Sequence, residues 1–193
     1  MTEIPSAALL DPPGLSAHLR AGGAALFPTD TVPALAARPE ASRQLWSLKR
    51  RPDHKPLILM GADLAQLVAT LATPWHPAWL EQAERCWPGQ VTLVLPVEGP
   101  VTRALHPGGI SLGLRVPDCP MALELLRRSG PLATTSANRS GEPAALDAQE
   151  AHDRFPRLPL LGPLPWPASS GIASTVMAWT SSGEWDLLRR GAG

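Results

Sequence analysis

The segment Ile110-Ser111-Leu112-Gly113-Leu114-Arg115-Val116-Pro117-Asp118 alternates in the manner of a strand. Leu112, Leu114 and Val116 fall on one side of an extended chain, and Ser111, Gly113 and Arg115 on the other. The first side is fit for a core. The second sets an arginine beside small residues and makes a floor that a charged ligand can approach. Ile110–Val116 is therefore read as a strand with one buried face and one ligand face. A helix over Met121–Arg128 and a strand over Pro131–Thr134 follow it. Before it, Val91–Pro96 is a short apolar run that ends in proline and reads as another strand.

Further out, strands are expected at Ala24–Phe27, Leu57–Met60, Ser174–Trp179 and Trp185–Leu188, the last two around a turn at Ser182 and Gly183. Helices are expected at Pro12–Ala21, Ala41–Lys49, Ala62–Leu71, Pro77–Cys86 and Ala145–Phe155. Pro156–Ser170 is rich in proline and reads as extended. No repeat and no linker divides the chain, so residues 1–193 are read as a single domain. Strands mixed with helices in irregular order give an α/β or α+β class with a mixed sheet.

Composition narrows the classes. The 193 residues carry 17 basic and 17 acidic side chains, a net charge of zero, which argues against a grip on nucleic acid by bulk charge. The 23 prolines are well above the usual share of about 5 %. Apolar segments recur at strand and helix spacings, so the chain is not read as disordered. Met1–Asp11 lacks a basic start followed by an apolar run, and the apolar stretch Leu158–Ala168 is broken by prolines. A soluble cytoplasmic protein with no membrane partner is expected. Cys86 and Cys119 make no C-x-x-C pair and read as small buried residues. None of the five histidines has metal-ligand spacing with another, so no metal site is assigned. His54 is singled out only because it lies in a basic segment.

That segment is Lys49-Arg50-Arg51-Pro52-Asp53-His54-Lys55-Pro56, and it holds both of the chain's lysines. Cations at the end of a helix can simply cap it. Lysine and arginine mixed in one turn also suit a polyphosphate or carboxylate partner. Short polar clusters recur beside apolar strands, at Pro28-Thr29-Asp30-Thr31-Val32 and at Thr134-Thr135-Ser136-Ala137-Asn138-Arg139-Ser140-Gly141. Each reads as a turn or as a ligand-binding rim. No Walker A loop, G-x-G-x-x-G or G-x-S-x-G motif is present.

Taken in order, FPTDTV, LKRRPDHKPLIL, WPGQVTLVLP, SLGLRVPD, TTSANRSGEP and STV followed by LLRRGA run from Phe27 to Ala192. Together they resemble the YrdC/TsaC family, the threonylcarbamoyl-adenylate synthases. The resemblance implies a twisted, open mixed α/β sheet with flanking helices and a basic central cavity. It implies joining of L-threonine, bicarbonate or CO2, and ATP into threonylcarbamoyl-AMP and pyrophosphate, with Mg2+ accompanying ATP. The product would serve threonylcarbamoyladenosine formation in tRNA, through a downstream transferase and with weak or transient tRNA contact. Lys49 and Arg51 match the family's K-x-R pair and are implied to be catalytic on the ATP phosphates, with Lys55 beside them. Ser136 and Asn138 match its S-x-N pair, and Ser111 and Arg189 complete the implied ATP site. Thr31, Arg115, Thr134 and Ser174 match the threonine site, with Arg115 on the substrate carboxylate.

The chain departs from the family pattern at Pro33, Ala34 and Ala36, where Tyr, Gly and Gly are usual, and at Ala173, where an acidic residue is usual. The methyl groups of Ala34 and Ala36 would oppose a positive φ. Two other readings follow. One is a divergent non-catalytic relative that binds nucleotide or RNA. The other is carbamoyl transfer to a different acceptor, as in the related domain of hydrogenase-maturation carbamoyltransferases, whose extra acylphosphatase and zinc-finger regions are not expected here.

Overall fold

The computed structural model describes residues 4–52 and 55–193. His54 lies outside the described residues, so its reading is not carried further.

Among the described residues, ten strands form one mixed sheet. In chain order they are β1 (Leu9–Leu10), β2 (Ala24–Phe27), β3 (Ala34–Ala37), β4 (Ile58–Met60), β5 (Val91–Leu95), β6 (Leu112–Arg115), β7 (Leu132–Ser136), β8 (Leu160–Leu161), β9 (Thr175–Trp179) and β10 (Trp185–Arg189). Their spatial order is β1-β8-β2-β3-β7-β4-β6-β5-β9-β10. Seven α-helices among the described residues flank the sheet: α1 (Pro12–Arg20), α2 (Arg43–Lys49), α3 (Leu64–Leu71), α4 (Pro77–Cys86), α5 (Pro100–Leu105), α6 (Pro120–Ser129) and α7 (Ala148–Arg154). Among the described residues, no helix is long and apolar enough to cross a membrane.

Period-two alternation sorts the strands onto two cores. Leu35, Ala37, Leu57, Leu59, Leu93, Leu95, Leu112, Leu114 and Ala133 join one cluster with Leu45 and Trp46 of α2, Trp79 and Ala83 of α4, and Ala148 and Ala151 of α7. Ala34, Ala36, Met60 and Leu132 face the other way. There they meet Leu15 and Leu19 of α1 and Ala122, Leu125 and Leu126 of α6. Each of those buried leucines contributes roughly 1.5–3 kcal/mol. The helices α1 and α6 cover this second face only near β8, β2, β3, β7 and β4, where their core partners lie. The sheet continues past them to β10, and the uncovered floor is where the cavity forms.

Helix ends follow local chemistry. Asp11 caps α1 by accepting from Gly14 N at 2.8 Å, and Asp63 caps α3 by accepting from Gln66 N at 2.7 Å. Helix α2 stops at Arg50, which is left-handed at φ 52°. The Arg51 amide there bonds back to Trp46 O at 2.9 Å and the Arg50 amide to Ser47 O at 3.2 Å. This turn separates neighbouring cations, leaving Lys49 buried and Arg51 at the cavity.

Several boundaries differ from expectation. Ala34–Ala37 is a central strand, paired antiparallel with β2 and β7. Ala34 and Ala36 therefore sit in a regular ladder, where no positive φ is needed. The strand expected at Pro131–Thr134 runs on to Ser136. The helix expected from Ala145 starts only after its cap at Asp147. The proline-rich Pro156–Ser170 stretch contributes β8, and α5 was not expected at all.

Candidate active site

A cavity of about 450 Å³ lies on the open face, in the usual range for small-molecule sites. Its floor crosses adjacent strands: Ala34 of β3, Thr134 and Ser136 of β7, Ile58 and Met60 of β4, Gly113 and Arg115 of β6, Thr92 and Val94 of β5, Val176 of β9 and Arg189 of β10. Ser111, Gly113 and Arg115 all line it, and Leu112 and Leu114 lie in the opposite core, as the alternation demands. Gly113 keeps the floor low. A Cβ there would stand 2.8 Å from Ile58 Cγ2 and 3.3 Å from Thr92 Cγ2.

One end is organised by Arg115, which is 3 % exposed. Its Nη2 donates to Asp30 Oδ1 at 2.6 Å, its Nη1 to Thr31 Oγ1 at 2.8 Å and its Nε to Gly89 O at 3.0 Å. A guanidinium has five N–H donors, so two are left for a ligand. Burial pushes the Arg115 guanidinium pKa down, and Asp30 opposes that shift. Thr31 is held in turn by Thr29, whose Oγ1 lies 3.0 Å from Thr31 Oγ1 and donates to Val32 O at 2.7 Å. On the far side, Ser174 Oγ pairs with Thr92 Oγ1 at 2.8 Å. Arg189 donates from Nη2 to Ser174 O at 2.8 Å, and burial lowers its pKa. Thr134 Oγ1 is buried and has no partner among the described residues.

The other end is built from the basic segment and the turn after β7. Arg51 lines the cavity and is held by Pro56 O, to which its Nη2 donates at 3.0 Å. Burial lowers the Arg51 pKa too. Ser136 and Ser111 are beside it in the lining. Lys49, 1 % exposed, lies behind this end. Its Nζ donates to Ser136 O at 2.7 Å and to Asn138 O and Oδ1, both at 2.8 Å. Asn138 Oδ1 also accepts from Ser136 Oγ at 2.6 Å, and its Nδ2 donates to Glu142 O at 2.6 Å. The lysine thus clamps the turn that presents Ser136.

The structure therefore brings Thr31, Arg51, Ser111, Arg115, Thr134, Ser136, Ser174 and Arg189 to one cavity. Lys49 and Asn138 form the layer behind it, and Lys55 is exposed outside the lining. Two further residues matter. Asp30 was within a quoted polar cluster, and only the fold shows it holding Arg115. His106 lines the cavity, and no spacing in the sequence marked it. Among the described residues, the lining contains three arginines and no carboxylate, so the space suits an anionic ligand. Among the described residues, no group of three or more His, Cys, Asp or Glu side chains could hold a metal ion.

The Sua5/YciO/YrdC family, described as telomere recombination, matches residues 17–191. The chain is 36 % identical over 169 residues to a protein of Bacillus subtilis named threonylcarbamoyl-AMP synthase, covering 84 % of this chain and 48 % of that one. It is 38 % identical over 148 residues to one of the same name in Stenotrophomonas maltophilia, covering 74 % and 79 %. The fold is similar to that of P. abyssi Sua5 in complex with L-threonine, with a TM-score of 0.83 and 31 % identity, over 92 % of this chain and 53 % of that one. The chain thus spans about half the length of the Bacillus and P. abyssi proteins.

Proposed function

The chain belongs to the Sua5/YciO/YrdC family, and we propose that it acts there as an L-threonylcarbamoyladenylate synthase, as a single domain over residues 1–193. The observation that carries this reading is the cavity with cations at both ends and, among the described residues, no carboxylate in its lining. Ser111 and Arg115 are on one face of an extended strand, four residues and so about 13 Å apart. That length accommodates an amino acid at one end and a nucleotide phosphate at the other.

The threonine carboxylate would take the two unused N–H groups of Arg115, with Thr31, Thr134 and Ser174 offering hydroxyls to the rest of the substrate. Arg51 from the Ser111 end and Arg189 from the Ser174 side would neutralise the triphosphate between them, with Ser111 and Ser136 as neutral donors. Lys49 and Asn138 would act by fixing Ser136, and Lys55 would meet the nucleotide only at the rim. Mg2+ is taken to arrive with ATP as part of the substrate.

The chemistry needs no covalent enzyme intermediate. The neutral threonine amine attacks CO2 derived from bicarbonate and loses a proton, giving a carbamate. A carbamate oxygen then attacks the α-phosphorus of ATP, and pyrophosphate leaves. Positioning and charge neutralisation supply the catalysis. Threonylcarbamoyl-AMP would then pass to a tRNA threonylcarbamoyl transferase in the cytoplasm. Pyrophosphate release that requires threonine and bicarbonate together tests the reading; ATP binding without such release supports the non-catalytic alternative instead.

A further inference from the structure

His106 is built into the cavity wall with one ring nitrogen committed. It follows α5, and its amide bonds to Thr102 O at 2.7 Å. Its Nδ1 lies 2.7 Å from Ser111 O. A carbonyl oxygen only accepts, so Nδ1 must carry the proton and donate. In the neutral ring Nε2 is then an acceptor. The ring is also wedged in place by Gly109. A Cβ at that position would come within 2.2 Å of both His106 Cε1 and Nδ1, so any larger residue would displace the imidazole. Among the described residues the half-buried ring makes no hydrogen bond other than the one at Nδ1, which leaves Nε2 available to a ligand.

The position of this acceptor is informative. The polar side chains of the lining are arginines, which only donate, and serine and threonine hydroxyls, which can do both. Among the described residues of the lining, a neutral His106 offers the one side-chain nitrogen or oxygen that only accepts. It stands at the Ser111 end, next to the segment where Leu57 N bonds to Leu105 O at 2.8 Å. That is the end assigned above to ATP. Phosphates bring acceptors there; the hydrogen-bond donors of ATP are all on its nucleoside.

We propose that His106 Nε2 accepts a hydrogen bond from the nucleoside part of ATP, either the exocyclic amine of adenine or a ribose hydroxyl, and so sets nucleotide specificity. This rests on the synthase reading of the same cavity. A site built to pair with a donor discriminates against an analogue that lacks it, because the acceptor, once covered by the bound nucleotide, is left unpaired.

His106→Asn separates this role from a structural one. The asparagine amide can keep the bond to Ser111 O and cannot reach the position of Nε2. Binding of ATP, ITP, 2′-dATP and 3′-dATP would be measured by calorimetry for wild type and variant, with thermal melts alongside. Wild type should lose roughly three- to ten-fold in affinity for one of the analogues. ITP identifies the amine and a deoxynucleotide the hydroxyl. H106N should bind ATP that much more weakly, lose the same discrimination and melt as wild type does. Equal wild-type affinity for all four nucleotides overturns the assignment without any variant, and so does an H106N protein with unchanged ATP affinity, while the synthase reading stands if turnover persists. Failure of wild type to bind ATP overturns both.

Discussion

Asp30 Oδ1 accepts a hydrogen bond from Arg115 Nη2 at 2.6 Å, and the two side chains are only 9 % and 4 % exposed. The carboxylate comes from the loop after β2 and the guanidinium from β6, four strands away in the sheet order. Removing one partner of a buried pair strands the other charge, at roughly 3–5 kcal/mol. Asp30→Ala is therefore expected to lower the unfolding free energy by about 3 kcal/mol in urea titrations. Asp30→Asn should lose less, because its amide oxygen can still accept from Arg115. Equal stability of Asp30→Ala and wild type would show that the pair does not hold this loop.

Thr134 carries the opposite signature. Its hydroxyl is buried on the cavity floor without a partner among the described residues, so it weakens the empty protein and is available to a ligand. Thr134→Val removes the hydroxyl and keeps the shape. Stability should hold or rise by about 1 kcal/mol, and KM for threonine should rise up to about tenfold. A less stable variant with an unchanged KM contradicts this.

Gly113 sets the depth of the floor. With Ile58 Cγ2 only 2.8 Å from an added Cβ, Gly113→Val has to fill space that substrate would occupy. Affinity for both ATP and threonine should fall by at least about tenfold, from an overpacking term of about 1–3 kcal/mol. The far-UV circular dichroism should be preserved, since valine suits a strand. Wild-type binding by this variant would move the site elsewhere.

Lys49 gives the protein a pH dependence. Burial, followed by the nearby Arg51 and Arg154, brings its ammonium from the ordinary 10.5 down to about 7. Below that value both folded and unfolded chains hold the proton, and the burial penalty is fully present. Between about pH 7 and about pH 10 the unfolded chain binds more protons, so the Lys49 contribution to stability rises with pH. The difference in unfolding free energy between wild type and Lys49→Met should accordingly grow in favour of wild type across that window. A flat or falling difference is the contrary result.

The face of the sheet that carries the site was legible from alternation alone. Ser111, Gly113 and Arg115 are on the cavity floor because a strand has a period of two, and Leu112 and Leu114 are in the core for the same reason. Ala34–Ala37 was not legible. Three alanines and a leucine carry no β-branched signal, and what makes them a strand is their pairing with β2 and β7. Helix α5 is only six residues long, below the length at which apolar periodicity can be read. Of the site, hydroxyl clusters and isolated cations were visible, but their division of labour was not. Lys49 and Arg51 are two residues apart, and a left-handed Arg50 between them sends one behind the Ser136 turn and the other into the cavity. Asp30 and His106 acquire their roles only through contacts with residues distant in the fold or held by a particular loop.

Mass spectrometry of the product formed from ATP, Mg2+, L-threonine and 13C-labelled bicarbonate tests the proposed reaction most directly. The expected result is a threonylcarbamoyl-AMP ion carrying the labelled carbon, absent when either threonine or bicarbonate is withheld. Intact ATP, or AMP without an attached carbamoyl group, from folded protein that binds both ATP and threonine would contradict it.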